Sequence, residues 1–202
     1  ASFSLGAPAT SLSRMPVSFY EKIMLALPKD RHVKVAADTC GESLRRTLKH
    51  SPFLVKPNRK ELEELAGERL SSMNDIICAA KKLHAAGAEN VLVSLGGDGA
   101  VIVCGDGNAC FCPALGGKPV NTVGAGDSMV AGFTAGISGG RDVREAFELA
   151  CAAGGAAAPS AGQRPGNRKN PPRPRRRPSV RPRRGRNWHI RAAARPASRI
   201  RR

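Results

Sequence analysis

"HVKVAADTCGESLRRTLKHSPFLVKPNRKEL", residues 32–62, is the stretch whose reading decides the fold. "HVKVAAD" reads as a buried strand ending at Asp38, and "GESLRRTLKH" reads as a helix. "PFLVKPN" is a second, short strand, stopped at Pro57, whose ring leaves no ladder donor. A helix opens immediately after it.

The same alternation extends in both directions. Upstream, "SFYEKIMLAL" (18–27) places Phe19, Ile23, Met24 and Leu27 on one helical face. Downstream, "SSMNDIICAAKKLHAAGA" (71–88) opens with Ser72-x-x-Asp75, a capping-box pattern, and stops at Gly87. "NVLVSL" (90–95) is strand-like, with "GGDGA" as its turn. "VIVC", "GDGN" and "ACFC" (101–112) then spell a hairpin. A short strand is expected at Val120–Thr122 and a helix from about Asp127 to Ile137. "RDVREAFELACAAGGAAA" (141–158) is a last, small-residue helix. Strands alternating with helices imply an α/β fold: a mostly parallel sheet flanked by helices, with an antiparallel edge from the hairpin.

The chain has 202 residues, 41% hydrophobic but only 4% aromatic, enough for one ordinary domain built on Ala, Val, Leu and Ile. Its net charge of +17 is unevenly spread. Residues 1–160 hold 17 of the basic residues and all 16 acids, whereas 161–202 hold 16 basic residues and no acid. The expected organisation is therefore a body over 1–160 and a disordered Arg/Pro-rich tail over 161–202, which has no hydrophobic periodicity with which to bury a core. No apolar run reaches 18 residues, so no membrane span is expected. The first residues, "ASFSLGAPATSLSRMP", lack a basic start and an apolar core, so no signal peptide is expected. None of the six cysteines sits in a CxxC pair, and no His lies at zinc-ligand spacing; reduced thiols in a cytoplasmic protein are expected.

Three stretches could carry chemistry. In "NTVGAGDSMVAGF" (121–133), Gly124, Ala125 and Gly126 lie at a strand-to-helix junction. Small residues there let successive backbone N–H groups and the helix N-terminus converge on an anion. Asp127 beside a bound phosphate suits a base that takes a proton from an attacking hydroxyl. A plain Gly-rich helix start with Asp near its N-cap reads equally well. In "VKPNRKEL" (55–62), Asn58 and Glu61 share a helical face and could hold Mg²⁺ directly or through water, with Lys56 neutralising phosphate; the same pair also spells an N-cap and its capping-box partner. "SLGGDGA" (94–100) lets a ligand approach the backbone at a strand end, although a hairpin turn explains its glycines too.

Taken together, in this order and at these spacings, the three stretches resemble the PfkB carbohydrate kinase family, over roughly residues 15–160. The resemblance implies a ribokinase-like fold, ATP and Mg²⁺ as cofactors, a sugar phosphate as the second substrate, and members that dimerise. "ADTCGESL" (37–44) and the Ser-Met after the GAGD core look most like the branch that converts fructose 1-phosphate to fructose 1,6-bisphosphate. A tagatose 6-phosphate kinase is the alternative within the family. The resemblance implies Asp127 as catalytic base and Gly124, Ala125 and Gly126 as the anion hole. It implies an ATP site lined by Ser94, Leu95, Gly96, Gly97, Asp98 and Gly99. Lys56 would lie near the nucleotide or sugar phosphate, and Asn58 and Glu61 match the family's NxxE motif, associated with Mg²⁺. Asn121 stands where many members have Asp, which removes a carboxylate from any monovalent-cation site. The family's N-terminal half, with most sugar contacts and the lid, has no counterpart in these residues, so weak or no turnover is expected of this chain alone. The tail reads either as a basic arm binding nucleic acid nonspecifically beside a non-catalytic body, or as a shifted frame of a GC-rich gene; its abrupt loss of acids favours the latter.

Overall fold

A computed structural model describes residues 2–6, 16–28, 33–114 and 124–157. From Phe19 on, its elements alternate as the sequence predicts; a strand at Ser2–Gly6, which the sequence did not predict, precedes them. Strands β1 (Ser2–Gly6), β2 (Lys34–Asp38), β3 (Leu54–Val55), β4 (Asn90–Ser94), β5 (Ala100–Val103) and β6 (Ala109–Cys112) form one sheet in sequential order. Pairings from β1 to β4 are parallel, and β4–β5 and β5–β6 are antiparallel. Helices α1 (Phe19–Ala26), α2 (Gly41–Leu48), α3 (Arg59–Ala66) and α4 (Met73–Ala85) fill the crossovers, and α5 (Ala125–Ser138) and α6 (Val143–Ala157) follow the hairpin. The strand expected at Val120–Thr122, Asn121 and the 161–202 segment lie outside the described residues.

The strands are apolar on both faces because both faces are covered. Ala37, Val55, Val91, Val93, Val101 and Val103 point to one side, where they meet Leu44 and Leu48 of α2, Leu62 of α3 and Ile76 and Ala80 of α4. Their neighbours Ala36, Leu54, Leu92, Ala100 and Ile102 point the other way, onto Met129, Val130 and Phe133 of α5 and Phe147 and Ala150 of α6. The register keeps each set on one face: Val55 pairs with Val91 and Val91 with Val103, while Leu92 pairs with Ile102. Each fully buried Leu, Val or Phe contributes about 1.5–3 kcal/mol. At residues 18–27 the buried face differs from the expected one. Tyr20 is the buried anchor, Phe19, Ile23 and Met24 are half-buried, and Leu25 is exposed, because α1 rests mainly on α2 rather than deep on the sheet.

Helices α5 and α6 are unusually close. A Cβ on Gly132 would lie 2.8 Å from the Leu149 carbonyl oxygen, and one on Gly136 would lie 2.9 Å from Ala146 Cα.

Candidate functional site

Three parallel strands end on the same edge of the sheet, and each delivers a polar group there. β2 ends in Asp38, β3 runs into Lys56, and β4 ends in Ser94. In open α/β sheets this C-terminal edge is where ligands bind. The Ser94 N–H donates to the Pro57 carbonyl at 3.1 Å, which ties the Lys56–Pro57–Asn58 turn to the end of β4. The turn after Ser94 is a short 3-10 segment, Gly96–Asp98, closed by a 2.9 Å bond from the Leu95 N–H to the Gly99 carbonyl. Gly99 has φ 103°, and a Cβ there would lie 2.1 Å from the Cys112 carbonyl oxygen, so only glycine fits.

Across from this turn stands the N-terminus of α5. Gly124 is its N-cap in the left-handed region, φ 82°, and the helix begins at Ala125, two residues before the expected start. Among the described residues no side chain caps it, so its first N–H groups lack an intrahelical partner. A Cβ on Gly126 would lie 2.9 Å from Lys56 Nζ. The small residue therefore lets a buried ammonium cross the mouth of the helix. Lys56 is only 6% exposed, and its Nζ lies 3.2 Å from Asp38 Oδ2. Burial pushes the Asp38 carboxyl above the usual range; the Lys56 charge pulls it down, and the nearby Asp127 charge adds to the rise. Burial outweighs the ion pair here because Asp38 gives up water for a single cation.

Together these walls enclose a cavity of about 460 Å³. Lys56, Asn58, Ser94, Leu95, Gly96 and Gly99 line one side, and Ala125 and Gly126 line the other. Gly97 and Asp98 project from the 3-10 turn and are exposed, and Gly124 sits outside as the N-cap. Asp127 is exposed in the first turn of α5, on the side of Asp38 rather than inside the cavity. Glu61 does not line the cavity. Its backbone N–H donates to Asn58 Oδ1 at 3.0 Å while Asn58 N–H donates to Glu61 Oε2 at 2.9 Å, a complete capping box. Among the described residues no group of three or more His, Cys, Asp or Glu could hold a metal ion. The capping box commits one oxygen of each side chain, so this pair fits a cation held mainly by phosphate and water, as Mg²⁺ commonly is.

Asp38 was read from the sequence only as a strand end. Its partner Lys56 lies 18 positions away, and only the parallel pairing of β2 with β3 brings them together. The signal that could have found it is the carboxylate closing a buried parallel strand. Cys112, Cys151, Gly154 and Gly155 also line the cavity without having been singled out. No helix among the described residues is long and apolar enough to cross a membrane.

The model of the pfkB family carbohydrate kinases matches residues 6–170. A 1-phosphofructokinase from Bacillus subtilis is 43% identical over 146 residues, covering 72% of this chain and 48% of that protein. Phosphofructokinase-2 from Escherichia coli, solved in complex with fructose-6-phosphate, superposes with a TM-score of 0.61 at 32% identity, over 69% of this chain and 46% of that one. Ribokinase from Arabidopsis thaliana, complexed with ribose and ATP, superposes with a TM-score of 0.62 at 27% identity, over 71% of this chain and 46% of that one. The chain spans about half the length of the relatives it matches.

Proposed function

The chain belongs to the pfkB family of carbohydrate kinases, and from that premise we propose that it forms the ATP-binding, phosphoryl-transferring part of a cytoplasmic sugar-phosphate kinase whose acceptor is fructose 1-phosphate and whose product is fructose 1,6-bisphosphate. The observation that carries this reading is the convergence of the buried Lys56 ammonium and the uncapped start of α5 on one cavity, with Gly126 leaving the room between them. A phosphate there meets fixed N–H dipoles and a fixed cation that need no reorganisation when negative charge builds. Asp38 holds Lys56 in place and keeps the local charge balanced until an anion arrives.

Asp127 takes the proton of the acceptor hydroxyl. Its exposed position in the first turn of α5 leaves it facing the side from which an acceptor would approach. The glycine turn after Ser94 lets the nucleotide lie against backbone, and apolar Leu95 and Met129 give its base a dry wall. Mg²⁺, when bound with ATP, neutralises the phosphates; Asn58 and Glu61 would reach it through water from the start of α3. The resemblance assigns most sugar contacts to a part of the family's chain outside these residues, so the chain by itself binds nucleotide better than it turns over.

Equilibrium titration with Mg-ATP tests this. Lys56→Met is expected to weaken binding at least tenfold. Asp127→Asn is expected to leave it within twofold, because Asp127 serves the acceptor. Unchanged binding in Lys56→Met, or no binding by the unaltered chain, contradicts the reading.

A further inference from the structure

Two thiols stand in the cavity wall and take no part in the chemistry above. Cys112 ends β6 and Cys151 lies in α6, and both line the cavity. Cys151 is buried and Cys112 half-buried. Cys112 packs against the buried cluster that contains Cys151, and its Sγ donates to the Pro113 carbonyl at 3.6 Å. The neighbouring Cys151 thiol holds the Cys112 thiol below the ordinary thiol range, against the opposing effects of burial and Glu148. The neighbouring Cys112, together with burial, pushes the Cys151 thiol up. Cys112 is thus the more accessible sulfur and Cys151 the more buried one. That is the arrangement of an attacking and a resolving cysteine.

The pair also joins two walls that must stay apart. On one side, the Cys112 carbonyl oxygen packs onto Gly99, 2.1 Å from where a Cβ would be. On the other, the next turn of α6 packs onto the start of α5: a Cβ on Gly154 would lie 2.5 Å from Met129 Cγ and 3.3 Å from the Ala125 carbonyl oxygen. Joining the two sulfurs at the roughly 2.0 Å of a disulfide therefore pulls the glycine turn toward the α5 N-terminus. Of the neighbouring Cys104 and Cys110, burial pushes the Cys104 thiol up to about 12, and neither lines the cavity.

We propose that Cys112 and Cys151 form a hydroperoxide-sensitive dithiol whose oxidation to a disulfide narrows the cavity and blocks the nucleotide. The gating rests on the nucleotide reading of that cavity; the dithiol does not. The Cys112 thiolate attacks one peroxide oxygen. The O–O bond breaks, the sulfur becomes a sulfenic acid, and the departing hydroxide takes up the proton that Cys112 released, giving water. The Cys151 sulfur then attacks Cys112. The S–S bond forms, the S–O bond breaks, and the departing hydroxide leaves as water with the Cys151 proton. Two thiols lose two electrons and one peroxide becomes two waters. Thiol exchange with a reduced dithiol reverses the step, as a regulatory disulfide in a reducing compartment requires.

The test uses the full 202-residue chain, reduced and then titrated with hydrogen peroxide. Peptide mapping without reductant is expected to find Cys112 joined to Cys151, in the unaltered chain and in Cys104→Ser, and to lose that link in Cys112→Ser. In Cys151→Ala, dimedone is expected to trap a sulfenic acid at Cys112, a readout that does not depend on forming the cross-link. Oxidation is expected to weaken Mg-ATP binding at least tenfold, with recovery in dithiothreitol. Over-oxidised Cys112 without a cross-link, or a link confined to Cys104 and Cys110, overturns the dithiol. A Cys112–Cys151 link with undiminished Mg-ATP binding overturns the gating. A reduced chain that ignores Mg-ATP overturns the nucleotide reading and the gating with it, while the cross-link still decides the dithiol.

Discussion

Asp38 gains its importance from Lys56, and the pair has a measurable signature. Because the folded-state pKa of Asp38 is raised, the folded chain holds that proton more tightly than the unfolded chain does. Its contribution therefore favours folding at low pH and is lost as pH rises from the ordinary carboxylate range through the folded value. In Asp38→Asn this slope disappears. The melting temperature of the unaltered chain relative to Asp38→Asn is expected to fall as pH rises above about 4, the ordinary carboxylate range; a difference that stays flat or rises contradicts the burial-dominated shift. At the same scale, Asn58 and Glu61 show where the sequence was ambiguous. Their spacing fitted a metal pair and a capping box equally well, and backbone geometry settles that the box is made, with both reciprocal bonds in place. Asn58→Ala is expected to cost about 1 kcal/mol of stability, read by urea denaturation.

The elements were legible where a local pattern fixes them. The Ser72–Asp75 box does open α4, and the glycine-punctuated hairpin does close between β5 and β6, because turn and cap chemistry is set within four residues. The helix near Asp127 starts earlier than expected because Gly124 alone adopts the left-handed geometry that precedes it. The apolar face of α1 was not legible: periodicity shows which residues share a face, but not whether a neighbour covers it. Nor could the sequence show that Gly132 and Gly136 bring α5 and α6 into backbone contact, since glycine in a helix more often signals weakness than packing. Gly136→Leu forces a side chain into Ala146 and is expected to cost about 1–3 kcal/mol. It is also expected to weaken Mg-ATP binding, because α6 supports the start of α5 through Gly154. A variant as stable as the parent contradicts the close packing.

For the whole molecule, the three-layer arrangement places every cavity wall on a different element, so the site exists only if the sheet, the glycine turn and α5 assemble together. The alternation of strands and helices predicted that layering. The convergence of Asp38, Lys56 and Gly126 follows from strand order, which no local pattern encodes. The most direct measurement is a thermal melt of residues 1–202 with and without Mg-ATP, using Gly126→Val to fill the space beside Lys56 Nζ. The account expects one cooperative transition that rises by about 5–10 °C at nucleotide concentrations near a hundred times the dissociation constant, and a shift that vanishes in Gly126→Val. A shift of equal size in the variant would place ATP elsewhere on the chain. The absence of any shift in the unaltered protein would contradict the nucleotide site itself.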